Sequence, residues 1–507
     1  MEDSAPGPTR TWLSGANLGR AWQAFYGLGA PAALMCISML RVRSFTIDDA
    51  YISFRYARNL ANGLGLVYNE GERIEGYTNF LWTVLLAVGY RCGADVVMLA
   101  KVMGAASALG TMWFMYLLAE QMRRFTNLPC IATWLLASTV VFTGYSVFGL
   151  ETPLFALLVV AGLYRMRVEE VNVHKPFPWS GILFGLAGLT RPEAPLFIGI
   201  ATLYSANKWF GKMNLMRWAF FVGIVGTHLL WRHSYYGAWV PNTLAAKTGH
   251  LENQMHAGVN YLGNYARMGG FLLALAPLAV GYGIWVRSRL ILCVATITAL
   301  MSVYVILVGG DWMPYFRFVA PVEPFAFLLV DVVFRAAFDR RGAGPQIFAL
   351  AGFGMLFQTR LNELGNAQSV VHKEHEKFWT TAAGGTAKYF MTNTKPGTIA
   401  MGDIGEIGWK TNYPVLDLLG LVDPIIAKLP GGYTQKLGPG FTDRFYSVKP
   451  RYALIISAEN DCAHPSVSGS IVLYNSPRFL QEYNLHGRVP LNGGFAWCIY
   501  ERRDAPK

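Results

Sequence analysis

Charged residues are scarce in this 507-residue chain: Asp, Glu, Lys and Arg make up 15% of it, whereas hydrophobic residues make up 53%. Soluble domains carry about 25% charge, so an ordinary soluble enzyme is excluded and a polytopic membrane protein remains. Cysteine is sparse too, with six in all, and no His/Cys cluster has the spacing of a zinc site. There is no low-complexity tract and no short-period repeat. The run Gly402-Asp-Ile-Gly-Glu-Ile-Gly408 places glycine every third residue rather than as Gly-x-Gly-x-x-Gly. That removes a nucleotide fingerprint and leaves a strand-to-helix turn. The net charge of +12 comes without a basic stripe or a recognition motif, so nucleic acid is not a partner. Lys and Arg sit instead in short clusters between apolar runs.

The first apolar run, 21–40, is long enough to span and lacks a small-residue cleavage site, so it reads as an uncleaved anchor. Further runs of spanning length lie at 97–119, 129–147, 217–235, 265–286, 290–308, 318–335 and 345–359, with a shorter one at 152–164. With interrupted segments counted, about 11 transmembrane segments are expected. Arg123-Arg124, Arg165 with Arg167, Lys208 with Lys212 and Arg217, Arg287 with Arg289, and Arg335 with Arg340-Arg341 all fall on the cytoplasmic side under one threading. Arg10 and Arg20 before the first run, and Arg41 and Arg43 after it, leave its own direction ambiguous. The same threading leaves 41–96, 144–151, 236–264, 309–317 and everything after 360 outside.

Two segments fit this threading only with special placement. Residues 77–92 read as a helix lying in the outer interface. Residues 180–204 are flanked by basic clusters at both ends, which one pass cannot satisfy. Pro192, in the break Leu-Thr-Arg-Pro-Glu-Ala-Pro (189–195), removes a backbone donor. Two half-helices then form a hairpin whose apex presents Arg191 and Glu193.

After 360 the apolar spans stop. Strand-like runs at 398–401, 414–417 and 452–457 alternate with Gly, Pro and charged turns. The expected organisation is a membrane domain over 1–360, with first outer loop 41–96, and an external α/β domain over 361–507. Cys462 and Cys498 both fall in the latter, and an oxidising compartment permits a disulfide between them. Cys36, Cys92, Cys130 and Cys293 read as small hydrophobes. His372 and His375 read as part of a solvated juxtamembrane helix.

Asp48-Asp49 follows closely on the first apolar segment and opens the polar stretch 48–58. Acidic groups at a membrane boundary are costly to desolvate, and two adjacent carboxylates raise one another's pKa toward a usable base. Asp48, Asp49, Arg58, Glu75, Glu151, Arg191, Glu193, Asn242, Lys247, Asp311 and Arg317 collect on the expected outer side. Such a set suits a reaction that deprotonates a hydroxyl and stabilises a phosphate leaving group. Arg191 beside the helix break is the leading phosphate contact, with Arg58, Lys247 and Arg317 as further candidates. A divalent cation among the carboxylates stays open. Aromatic residues, Tyr77 and Trp312 among them, interleave with these charges; they are ring-stacking candidates or members of an interfacial belt.

The run from Thr46 to Trp82 resembles the first outer loop of GT-C membrane glycosyltransferases. More narrowly, it is similar to the arabinofuranosyltransferase branch that includes the terminal transferase of cell-wall arabinan and the pilin arabinosyltransferases. Further matches are Gly149-Leu-Glu-Thr-Pro153, Leu189-Thr-Arg-Pro-Glu193, Pro241-Asn-Thr243, Gly309-Gly-Asp-Trp-Met-Pro314, Gly402 to Gly408, and Leu416 to Pro424. The resemblance implies an all-α polytopic membrane domain of GT-C type with a C-terminal soluble α/β domain, in a bacterial inner membrane with its active site on the periplasmic side. It implies transfer of a sugar, D-arabinofuranose in that branch, from a polyprenyl-phosphate donor to an envelope glycan, lipid or pilin acceptor. The first acidic residue of the loop pair activates the acceptor in that family; here it is Asp48, with Asp49 beside it. Tyr77, Asn79, Glu75, Glu151, Glu193, Asn242, Asp311 and Trp312 are the expected supporting residues. The alternative from another class is a transporter or flippase of lipid-linked sugars, which would also show a broken helix.

Overall fold

The computed structural model describes residues 22–505 apart from 123–127, 173–176, 248–250, 269–273, 340–341, 434–435 and 437. Arg10, Arg20, Arg123, Arg124, Arg340 and Arg341, on which the expected threading partly rests, lie outside the described residues. Among the described residues four helices are long and apolar enough to cross a membrane: Trp22–Val42, Val96–Met122, Lys212–Tyr236 and Arg289–Leu307. Two expected spans are not single helices. Run 129–147 divides into Ile131–Ala137 and Val140–Tyr145. At the junction the Thr139 hydroxyl accepts the Val141 N–H at 3.2 Å and donates to Glu323 at 2.9 Å. A side chain that bonds backbone locally competes with helix continuation. Run 265–286 likewise contains the end of Leu251–Arg267 and all of Ala276–Trp285.

The first outer loop is built around α1 (Asp48–Ala61). Further along, α2 (Thr152–Val171) runs between two charged ends, and α3 (Trp179–Gly188) and α4 (Ala194–Leu203) are the two halves of the segment broken at Pro192. Ser180, at the start of α3, donates its N–H to Glu169 at 2.9 Å, while Ser205, just past α4, donates to Glu170 at 2.6 Å. Both open ends of the pair therefore meet adjacent residues at the C-terminal end of α2. Their apex meets the other end, where Arg191 pairs with Glu151 at 3.0 Å. The segment is a hairpin, as the proline break predicts. Its base is closed by α5 (Lys212–Tyr236), whose buried Arg217 pairs with Glu169 at 3.1 Å and donates to Asn214 at 2.7 Å. Arg167, Arg287 and Arg289 line one cavity at this same end, so three of the basic clusters come together away from the apex.

The C-terminal region carries a five-stranded sheet in the order β2-β1-β3-β5-β4, from β1 (Ile399–Met401), β2 (Val415–Asp417), β3 (Tyr452–Ser457), β4 (Tyr483–Pro490) and β5 (Ala496–Arg502). β1 lies parallel to β2 and β3, and β5 antiparallel to β3 and β4. The three expected strands are β1, β2 and β3. Short α6 (Glu406–Thr411) follows β1, so Gly402–Gly408 is the strand-to-helix turn read from its glycines. Ile52, Tyr56, Leu66, Tyr68 and Tyr77 of the first outer loop share one buried cluster with Ile399, Met401, Ile404, Ile407, Tyr452 and Leu454 of the sheet region. Loop and sheet are packed as one body.

His372 is buried rather than solvated. Its ring stacks on Phe148 with centroids 5.8 Å apart and meets Phe45 edge-on, while His375 meets Phe45 at 5.2 Å. The helix His372–Trp379 buries its histidine face against those rings, which the polar run around it concealed. Cys462 and Cys498 form a disulfide across 36 residues with Cα atoms 5.7 Å apart. In the chain-entropy account a loop of that size contributes about 3–4 kcal/mol. Replacing both with Ser is expected to cost that much in unfolding free energy, measured beside the reduced wild type, which should match the variant.

Candidate active site

Asp48 is the first residue of α1, yet its side chain does not cap its own helix. Its carboxylate accepts the N–H of Glu406 at 2.8 Å on Oδ1 and the N–H of Gly405 at 3.0 Å on Oδ2. The approach needs glycine, since a Cβ on residue 405 would lie 1.9 Å from the Asp48 carbonyl oxygen and 2.5 Å from Oδ2. Burial raises the Asp48 pKa well above the usual carboxylate range, the negative charge of Asp403 adds to it, and the Glu406 N–H pulls the other way. The result is a fixed, buried carboxylate with two lone-pair positions still open.

α6 lies along α1 with its ends matched to opposite charges. Asp48 takes the N–H groups at its start, and Arg55 and Arg58 take carbonyls near its end: Arg55 donates to Gly408 at 2.8 Å and Arg58 to Trp409 at 3.0 Å. This is the arrangement the backbone dipole favours. Arg58 also stacks on the Trp409 ring at 4.2 Å and donates to Asn412 at 2.6 Å. It is engaged in docking the C-terminal region, apart from the other expected phosphate contacts.

Asp49 points elsewhere, toward cations. It lies 4.0 Å from Arg317, which also meets Asp311 at 2.6 Å. Burial raises the Asp49 pKa, and the charges of Lys247 and then Arg317 oppose the rise. Burial acts against the charge of Lys247 as well, and Arg317 lowers it further. Arg317 stays firmly charged because Asp311 and Asp49 outweigh its burial. The turn that aims Arg317 is strained: Tyr315 and Phe316 sit at φ of 60° and 54°, a region that costs a side-chain-bearing residue roughly 1–2 kcal/mol. Lys247 lies over the ring of Tyr433 at 5.2 Å.

Arg191 stands at the hairpin apex between Glu151 at 3.0 Å and Glu193 at 2.8 Å. Asn79 donates to the second oxygen of Glu151 at 2.9 Å and exchanges hydrogen bonds with Ser53 of α1. Asp49, Lys247, Asp311, Arg317, Arg191 and Glu151 thus form one charged network within electrostatic reach of one another. Other expected residues stand outside it. Glu75 pairs with Arg232 at 2.7 Å, and burial raises its pKa to about 7. Tyr77 shares a hydrogen bond with Tyr236, Asn242 donates to the carbonyls of Gly420 and Leu421, and Trp312 is exposed near Trp379.

Two residues not expected in the site belong to it. Asp403, in the turn that caps Asp48, has its pKa raised to about 6 by burial and by Asp49. Tyr433 feels the charges of Asp49, Asp403 and Asp311. Both come from the C-terminal region, and only the glycine spacing around Asp403 hinted at a special turn. For a metal, the outer carboxylates are poorly disposed: those of Asp311, Glu151 and Glu193 each face a guanidinium. Among the described residues only exposed Glu459, Asp461 and His464 bring three ligand atoms together.

Solved structures match this architecture. ArnT from Cupriavidus metallidurans, bound to undecaprenyl phosphate, superposes with a TM-score of 0.59 at 11% identity, covering 96% of this chain and 99% of that one. The archaeal oligosaccharyltransferase AglB from Archaeoglobus fulgidus, in complex with an inhibitory peptide and a dolichol-phosphate, gives 0.52 at 11% identity over 84% and 69%. The chain shares the fold of these two proteins. By sequence it is similar to the terminal β-(1→2)-arabinofuranosyltransferase of Mycobacterium tuberculosis, 29% identical over 342 residues, which are 57% of this chain and 54% of that one. The protein of the same name in Corynebacterium glutamicum is 25% identical over 339 residues, 57% and 49%. The chain spans about half the length of these curated relatives. Residues 371–500 match a domain of unknown function, DUF8728. The resemblance to the arabinofuranosyltransferase branch holds in these relatives.

Proposed function

We propose that this protein is a membrane glycosyltransferase that moves a sugar, D-arabinofuranose by its likeness to the terminal arabinofuranosyltransferases, from a polyprenyl-phosphate donor to an envelope glycan, lipid or pilin acceptor. The observation that carries this reading is a buried acid, Asp48, whose chain neighbour Asp49 opens onto a cluster of cations: Arg317, Lys247 and, at the apex of the broken helix, Arg191. Lys247 and Arg317 hold the donor phosphate, displacing Asp49 as their partner, and Arg191 extends the positive field. Asp48 takes the proton of the acceptor hydroxyl as its oxygen bonds the anomeric carbon. The bond from that carbon to the phosphate oxygen breaks, and polyprenyl phosphate leaves. The 1–360 membrane domain supplies the cations, and the 361–507 domain stands on the same, periplasmic face of an inner membrane.

The purified protein, given polyprenyl-phosphate arabinofuranose and an arabinan acceptor, is expected to release polyprenyl phosphate. Lys247→Ala is expected to raise the donor KM by about tenfold or more, the worth of one charge-assisted contact, with the acceptor KM little changed. Movement of intact donor across vesicles without release would favour the flippase reading instead.

A further inference from the structure

The buried docking of a distant turn on Asp48 is not needed to fold α1, which already has its own helical hydrogen bonds. The N–H groups of Gly405 and Glu406 reach Asp48 from residues 357 and 358 positions later in the chain. Around them, Arg55 donates to the carbonyls of Gly408 and Tyr413, and Tyr68 donates to that of Ile404 at 2.5 Å. We propose that the turn Gly402–Glu406 is the positioning element of the base, so that the C-terminal region is part of the catalytic centre and its docking fixes and aims Asp48. This rests on the transferase reading above and adds to it the element that sets the base.

The charged and titratable groups facing Asp48 are Asp49 and Tyr51 on its own helix, Tyr68 of the first loop, and Asp403 and Glu406 of the turn. Asp403 and then Asp49 disfavour its anion. The two N–H groups favour it, and removing one should raise the pKa at which the base loses its proton.

Glu406 is the first residue of α6, a position where proline is tolerated because its N–H has no helical partner. Glu406→Pro deletes one donor to Asp48, and its ring pushes Oδ1 away from the place of that N–H. Lys410→Ala breaks the Glu406–Lys410 ion pair but keeps the N–H, and serves as the comparison. In Glu406→Pro the acid limb of the kcat profile is expected to move up by about one pH unit, with kcat on that limb down by about tenfold and donor KM unchanged. Lys410→Ala should keep the wild-type profile. An unshifted acid limb in a monodisperse Glu406→Pro enzyme overturns the proposal, as does a shift of equal size in Lys410→Ala. Gly405→Ala provides a second variant: its Cβ meets Asp48 directly, and it should lower kcat without altering donor KM. If the wild type itself releases no polyprenyl phosphate, the transferase reading fails, and the inference with it; if the wild type turns over and the limb stays put, the inference alone fails.

Discussion

Asp48→Asn is expected to slow polyprenyl-phosphate release by about 10²–10⁴-fold, the usual worth of a positioned base. The amide has no basic oxygen to take the acceptor proton. It also turns an NH₂ toward one of the two backbone N–H groups that now meet carboxylate oxygens, so some loosening of the turn should accompany the loss. Monodispersity in detergent and the thermal midpoint separate that loosening from the chemical defect. In the wild type the rate should rise with pH through a value above the ordinary carboxylate range, because burial and Asp403 raise the Asp48 pKa and the working form is the deprotonated one. Near-normal turnover in a well-folded Asp48→Asn protein would remove Asp48 from the role of base.

Arg217→Met is expected to destabilise the membrane part by about 3–5 kcal/mol, the cost of leaving a buried charge without its partner. Arg217 is almost fully buried and meets Glu169, Asn214 and the carbonyl of Met166. Without it, Glu169 keeps only the N–H and hydroxyl of Ser180. Because Ser180 begins the hairpin that carries Arg191, the variant should also lose donor affinity at a distance. Unfolding in detergent measures the first effect and donor KM the second. Adding Glu169→Gln should recover part of the stability, and a double variant no better than the single one would count against a charge origin.

The hairpin was legible because proline states a local fact: Pro192 cannot donate, and charged residues beside it had to be buried or to line a cavity. The break at Ser138-Thr139 carried no such mark, since a threonine that bonds Glu323 looks like any threonine in an apolar run. His372 was misplaced for a related reason. Its neighbours are polar, but the rings that cover it come from Phe45 and Phe148, far away in sequence. Asp48 and Asp49 were both readable as site candidates, whereas their division, one toward backbone N–H groups and one toward cations, depended on what docks from the other end of the chain. Arg58 illustrates the same limit: a cation beside two acids reads as a phosphate contact, and only the carbonyl of Trp409 places it elsewhere. Asp403 had only the glycine spacing of its turn to hint at it, and Tyr433 had no signal at all.

The seat of Asp48 also sets a timetable. The turn that caps it is made 357 residues after it, and at roughly 5–20 residues per second that is a delay on the order of half a minute. Through that interval the first outer loop has Ile52, Tyr56 and Tyr68 uncovered, because their shared cluster is completed only by residues up to Ile499. The site is therefore completed only once residues 405 and 406 have been made, after the membrane helices described above. A nascent chain cut short before residue 405 would already hold the membrane helices and the cations, yet Asp48 would lack both of the N–H groups that seat it.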